Sequence, residues 1–165
     1  MAANASQSGT APGCVIARES PLAADLDLLF ARHHNAMHDG NTPPESIHMM
    51  PREALCAPQI AFYVLREDGA ALGMGAIKTI APGHGEIKSM HILAEARGRG
   101  LSRALLEAMI EAARAGGLGR LSLETGAQDV FAPARALYAS AGFAEVPPFA
   151  DYRPDPASIF MSRRV

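Results

Sequence analysis

Two glycines one residue apart, Gly98 and Gly100, stand among three arginines, Arg97, Arg99 and Arg103, at the start of an amphipathic stretch beginning at Leu101. The chemistry these types suggest is anion binding. A glycine has no Cβ to keep a ligand from the backbone. The first N–H groups of a helix have no partner within it, and the helix dipole favours negative charge there. A short apolar run ahead of the loop (Ile87, Met90, Ile92) reads as a strand, so the segment as a whole reads strand, loop, helix. A phosphate cradle is the expected use.

Spacing separates three phosphate motifs. A Walker loop, G-x-x-x-x-G-K-[ST], needs a lysine, and none follows Lys88. A dinucleotide fingerprint could begin at Gly98 and Gly100, with Glu124 as its downstream ribose acid. Its third glycine, however, is Arg103, and Leu93 to Ala96 separate the strand from the first glycine. The third motif is R-x-x-G-x-[G/A], which Arg97 to Ser102 (RGRGLS) matches except at its last place.

On that motif, set between a strand and a helix, the chain resembles the GNAT superfamily of acyl-CoA-dependent N-acyltransferases. The segment LYASAGF (Leu137 to Phe143) resembles that family's second hallmark, a tyrosine just before a Gly-Phe turn. TPPES, HGEIKSMH, SLETG and FADYRPDP resemble a subfamily of small bacterial members. The resemblance implies acetyl-CoA as acyl donor, with its pyrophosphate held by Arg97, Gly98, Arg99, Gly100, Leu101, Ser102 and Arg103. It also implies two strands that splay apart and bind the pantetheine arm through backbone groups of Met90, His91 and Ile92. Two positions depart from the family pattern: Ser102 replaces a final Gly or Ala, and Phe131 stands where many members carry asparagine.

Acyl transfer from a thioester to an amine poses two proton problems. The acceptor ammonium, with a pKa of ~10, must lose a proton, and the departing thiolate should gain one. Glu86 is the candidate base: some members place a glutamate there, and it lies four residues before Met90, which on a regular strand means the same face, ~13 Å along. His91 and His84 are rivals by pKa, but His91 is expected on the opposite face and His84 in a turn. Tyr138 is the candidate acid. The oxyanion would be stabilised by a backbone N–H near Met90 or Ile92. The activity implied is acetylation of a primary amine on a small molecule or amino acid. Protein or peptide acetylation and a non-catalytic acyl-CoA-binding module are the alternatives.

The elements that must position these residues can be read in order. Cys14 to Arg18 reads as a strand, and Ser20-Pro21 as the start of a helix running to about His38 with Leu22, Leu26, Leu29, Phe30, His33 and Met37 on one face. The connection over 39–50 is long enough to suggest function, and His38, Glu45, Ser46 and His48 are its candidate acceptor-binding residues. Pro51 opens a short helical piece. Two strands follow, joined at Asp68-Gly69; Gly73 and Gly75 in the second suggest a bulge or a close approach. After the glycine loop come a helix ended by Gly116-Gly117, a strand over 120–125, a helix over 131–141, and closing strands over 143–146 and 157–162. The fold class is α+β: a twisted, mostly antiparallel mixed sheet flanked by helices, with one parallel step at the cofactor site.

At 165 residues the chain is expected to form one domain over 13–165, with residues 1–12 a mobile tail. A net charge of −2 argues against a nucleic-acid partner. Two cysteines without a C-x-x-C pair suggest a reducing, cytoplasmic setting. No run approaches the ~20 apolar residues of a membrane span, and His33 and His34 lack the companions of a metal site. A homodimer through the terminal strands is a family expectation.

Overall fold

A computed structural model describes residues 12–165, so the tail expected over 1–12 lies, Pro12 apart, outside the described residues. Seven strands form one sheet: β1 (Cys14–Arg18), β2 (Ile60–Glu67), β3 (Ala70–Ala81), β4 (His84–Ile92), β5 (Arg120–Gly126), β6 (Ala144–Val146) and β7 (Ser158–Arg164). Their spatial order is β1-β2-β3-β4-β5-β7-β6. Every pairing is antiparallel except β4 with β5, and that parallel step is bridged by helix α2 (Leu101–Ala115). Helices α1 (Asp27–Asp39) and α3 (Ala132–Ser140) complete the layers. No helix among the described residues is long and apolar enough to cross a membrane.

α2 follows from its pattern. Leu101, Leu105, Leu106, Met109, Ile110 and Ala113 recur at helical spacing and are all buried, so one stripe faces the sheet. Fully buried Leu105 and Met109 would each cost about 2–5 kcal/mol on truncation to alanine. Close approach is bought at Gly75: a Cβ there would meet Met109 Sδ at 2.6 Å, and one at Gly73 would meet Ile92 Cδ1 at 2.3 Å. β3 is also bulged opposite Leu65 and Arg66, so both readings of its glycines hold.

The first helix starts later than its sequence suggests. Ser20 Oγ accepts the Leu22 N–H at 3.2 Å, which makes a local turn rather than an α-helical cap. Arg52 then donates to the carbonyls of Pro21 and Ala23, both at 2.6 Å, and the Ala23 carbonyl also accepts the Leu26 N–H at 3.1 Å in an i to i+3 pattern. A 3₁₀ turn over Ala24–Leu26 leads into α1 at Asp27, and Leu22 is left exposed.

Candidate active site

The parallel ladder between β4 and β5 is short. It pairs His84 with Arg120, Gly85 with Leu121, Glu86 with Ser122 and Ile87 with Leu123, and then stops. β4 continues to Ile92 and β5 to Gly126 without pairing to each other. Strand edges facing each other without a ladder leave backbone N–H and C=O groups available to a third partner.

β4 is also bulged on its other side. Lys88 pairs with Ala76 and His91 with Met74, so Ser89 and Met90 together face the single residue Gly75. Ser89 adopts φ 55°, a left-handed conformation uncommon for a side-chain-bearing residue. The bulge overturns two expectations from strand periodicity. Lys78, Ala76 and Met74 alternate regularly along β3, and their partners Glu86, Lys88 and His91 therefore share one face. Met90 has moved to the other, near Gly75 and Met109.

A cleft of about 570 Å³ opens where the strands separate. Glu86, Lys88 and His91 line it from one face, and Ile87, Met90 and Ile92 from the other, so it passes through the sheet. Tyr138 of α3 reaches it from the Met90 side: its hydroxyl lies 3.7 Å from Met90 Sδ and its ring packs edge-on to Phe143. Burial, with the charge of Glu124 second, pushes Tyr138 up to about 12, so it stays protonated at neutral pH. Arg97 and Ser102 line the same cleft.

Gly98 and Gly100 both adopt φ 77°, in the region where glycine carries no steric cost, with nothing within 4 Å of where a Cβ would stand. Gly100 is the N-cap of α2. Among the described residues, the backbone N–H groups from Gly98 to Arg103 have no protein acceptor. The arginines are less available than their number suggests. Arg97 Nε donates to the Ile92 carbonyl at 3.2 Å, Arg99 is paired with Glu67, and Arg103 bonds Ser140 and Glu107.

Glu86 is 4% exposed, and its Oε1 receives the Tyr152 hydroxyl at 2.6 Å and Lys88 Nζ at 3.2 Å. Lys88 also donates to Tyr152 at 3.1 Å. Burial, then the bond to Glu86, raises the Tyr152 phenol far above its usual range. Tyr152 is fixed by ring contacts with His48, Phe149 and Phe160. Sequence reasoning missed it. Sixty-six residues separate it from Glu86, and only folding of the 147–157 segment brings the two together. Lys88 was more legible, because period two puts it on Glu86's face. Glu124, two residues beyond Ser122 on that same face, also lines the cleft, and burial raises its carboxyl.

A second cavity of about 860 Å³ adjoins the first. His48, Glu86, Lys88 and Tyr152 line both, so these four side chains form the partition. Glu45 and Ser46 face this cavity together with the segment around Arg153 and Asp155. Ser46 Oγ donates to Asp155 Oδ2 at 2.6 Å, which ties the two connections together. His38 does not join them: its ring stacks on His34 and bonds that residue's carbonyl. His84 is also elsewhere, bonded to Ser122 Oγ at 2.7 Å with its pKa lowered, chiefly by burial. His91 packs edge-on to His33, and burial holds both at about 4. Phe131 covers Gly126 at the end of β5 and lines the cleft where the family's asparagine is expected.

Comparison with known proteins agrees with this geometry. A model of the acetyltransferase (GNAT) family matches residues 30–143. The chain is 45% identical over 124 residues to the uncharacterized N-acetyltransferase YsnE of Bacillus subtilis, covering 75% of this chain and 82% of the relative. It is 42% identical over 154 residues to the IAA acetyltransferase of Azospirillum brasilense, covering 92% and 98%. Among solved structures, PaiA N-acetyltransferase of Thermoplasma acidophilum in complex with coenzyme A superposes with a TM-score of 0.71 over 92% of this chain and 99% of that one. At 17% identity that likeness shows the fold.

Proposed function

This chain belongs to the acetyltransferase (GNAT) family and uses acetyl-CoA as its co-substrate; on that premise we propose that it acetylates a primary amine of a small molecule or amino acid by direct attack, with Glu86 as base and Tyr138 as acid. The residues present fit the co-substrate. Two left-handed glycines open to their surroundings, unpaired N–H groups at the start of α2, and the ladder that ends at Ile87 and Leu123 support a pyrophosphate at Gly98 to Arg103 and a pantetheine arm along Met90, His91 and Ile92. The bound thioester supplies the acyl carbon.

The acceptor's place is the second cavity, with Glu45 and His48 in its wall. The observation that carries this reading is the position of Glu86 in the partition between the two cavities. A carboxylate there faces the amine on one side and the acyl group on the other. Glu86 takes one proton from the ammonium and releases it to solvent, the nitrogen lone pair forms the C–N bond, the C–S bond breaks, and the second proton the nitrogen loses leaves by the same carboxylate. Tyr138 protonates the leaving thiolate and recovers its proton from solvent. Tyr152 and Lys88 hold Glu86 in place by their bonds to Oε1. Glu86 lines the second cavity and neither His84 nor His91 does, which favours Glu86 over either histidine as base.

A mass-spectrometric screen of amines with acetyl-CoA tests the reading. Glu86→Gln and Tyr138→Phe should each lower kcat on the order of 10²-fold with little change in acetyl-CoA affinity. An unchanged rate removes that residue from its role. Acetyl-CoA binding without any acetylated product would favour a binding module.

A further inference from the structure

Among the described residues, two cations of the second cavity's wall, Lys78 and Arg153, have no carboxylate partner, and of these Lys78 is the half-buried one. In the β3–β4 ladder Lys78 is the residue directly opposite Glu86. Glu86 nevertheless takes its ammonium from Lys88, two residues along its own strand, at 3.2 Å. Lys78 remains half-buried in the cavity wall, with no carboxylate oxygen within 4.0 Å among the described residues. The acids nearby do not supply one. Asp155 is occupied by Ser46 Oγ at 2.6 Å and the Ala157 N–H at 2.8 Å, and Glu45 and Asp151 are exposed. Arg153, the other unpaired cation of this wall, is exposed as well.

We propose that Lys78 binds the carboxylate of the acceptor, and that the acceptor is an α-amino acid presenting its amine to Glu86. The inference rests on Glu86 being the base, as set out above. Directly opposed residues on antiparallel strands stand about 5 Å apart on one face. The ammonium and carboxylate of an amino acid are joined through a single carbon, so one molecule can meet both side chains. With Oε1 of Glu86 committed to Tyr152 and Lys88, Oε2 is left for the incoming amine. Two-point capture aims the nitrogen at the partition and turns the amino-acid side chain into the rest of the cavity, whose walls include Ile80, Pro154 and Pro156. The step is the same transfer: the two protons lost by the nitrogen leave in turn through Glu86 to solvent, the C–N bond forms, the C–S bond breaks to a thiolate that Tyr138 protonates, and the amino acid's carboxylate is unchanged.

Steady-state kinetics on matched pairs tests this: phenylalanine against phenethylamine, and leucine against isoamylamine. The expected result is a wild-type preference for the amino acid in kcat/KM. Lys78→Met should raise the amino-acid KM about 10- to 100-fold, the weight of one charge-assisted hydrogen bond. It should also bring the pair close to parity while leaving the KM for acetyl-CoA in place. Lys78→Arg should keep most of the preference. Equal or better use of the decarboxylated amines by the wild type would overturn the proposal. So would a Lys78→Met variant that lost both members of a pair equally, since that loss is structural. Transfer to amines generally, abolished by Glu86→Gln but blind to the carboxylate, would sink Lys78 alone. Absence of transfer to any amine would sink the amine reading with it.

Discussion

Glu86 is a carboxylate withdrawn from solvent yet supplied with a hydroxyl and an ammonium on one oxygen. Tyr152 is therefore expected to act through Glu86 rather than on the acceptor. Tyr152→Phe keeps the ring against His48, Phe149 and Phe160 but removes the donor. We expect about a tenfold fall in kcat with the KM for acetyl-CoA unchanged. In a double-mutant cycle with Glu86→Gln the two losses should not add, because the second change removes a bond already lost. Additive losses would assign Tyr152 a separate role. None of this was legible at residue level: a tyrosine in a proline-rich connection carries no mark of the strand it will meet.

At the scale of elements, the glycine loop and the strand before it behave differently. The loop was legible because its demands are local. Positive φ at Gly98 and Gly100 and a helix start at Leu101 are written in residue types within a few positions of each other. Gly100→Ala tests its use. Strain in the left-handed region costs about 1–2 kcal/mol, and nothing within 4 Å blocks the new methyl, so the fold should survive with a Tm lowered by a few degrees. Acetyl-CoA affinity, measured by calorimetry, should fall about tenfold; an unchanged affinity would mean that the loop is not the cradle. The strand was misread because its bulge is not local. Nothing in GEIKSMHI announces that Ser89 and Met90 will face one residue of β3, yet this exchange of faces puts His91 on Glu86's side and Met90 beside Tyr138.

At the scale of the whole molecule, the packing of α1 on β4 buries two histidines. His33 of α1 and His91 of β4 meet edge-on at 5.4 Å, and burial holds both at about 4 against an ordinary 6.5. Between those values the unfolded chain binds protons that the folded one refuses, so stability rises with pH through that window and falls as the solution is acidified from about 6.5 toward 4. With about two protons taken up on unfolding near pH 5, the slope from this pair approaches 2.7 kcal/mol per pH unit. Urea unfolding between pH 7 and 5 measures it, and His91→Gln should remove about half. A slope unaffected by that change would mean that His91 titrates normally. The sequence reading treated His33 as an ordinary helix position, because its neighbour in space lies on a strand 58 residues away in the chain.

The sequence by itself determined what depends on neighbours along the chain. The order of strands and helices, the Asp68-Gly69 hairpin, the apolar stripe of α2, and the glycine loop at Arg97 to Ser102 that opens onto it all rest on local backbone preference and periodicity. Those preferences act over a few residues and are expressed in almost any context. Tertiary structure alone decided where the β4–β5 ladder ends, which face each residue after Lys88 occupies, and that Tyr152 and Lys88, rather than Lys78, answer the charge of Glu86. These are outcomes of strand register and of long connections closing on the sheet, where many weak contacts far apart in sequence settle the position of a few polar atoms.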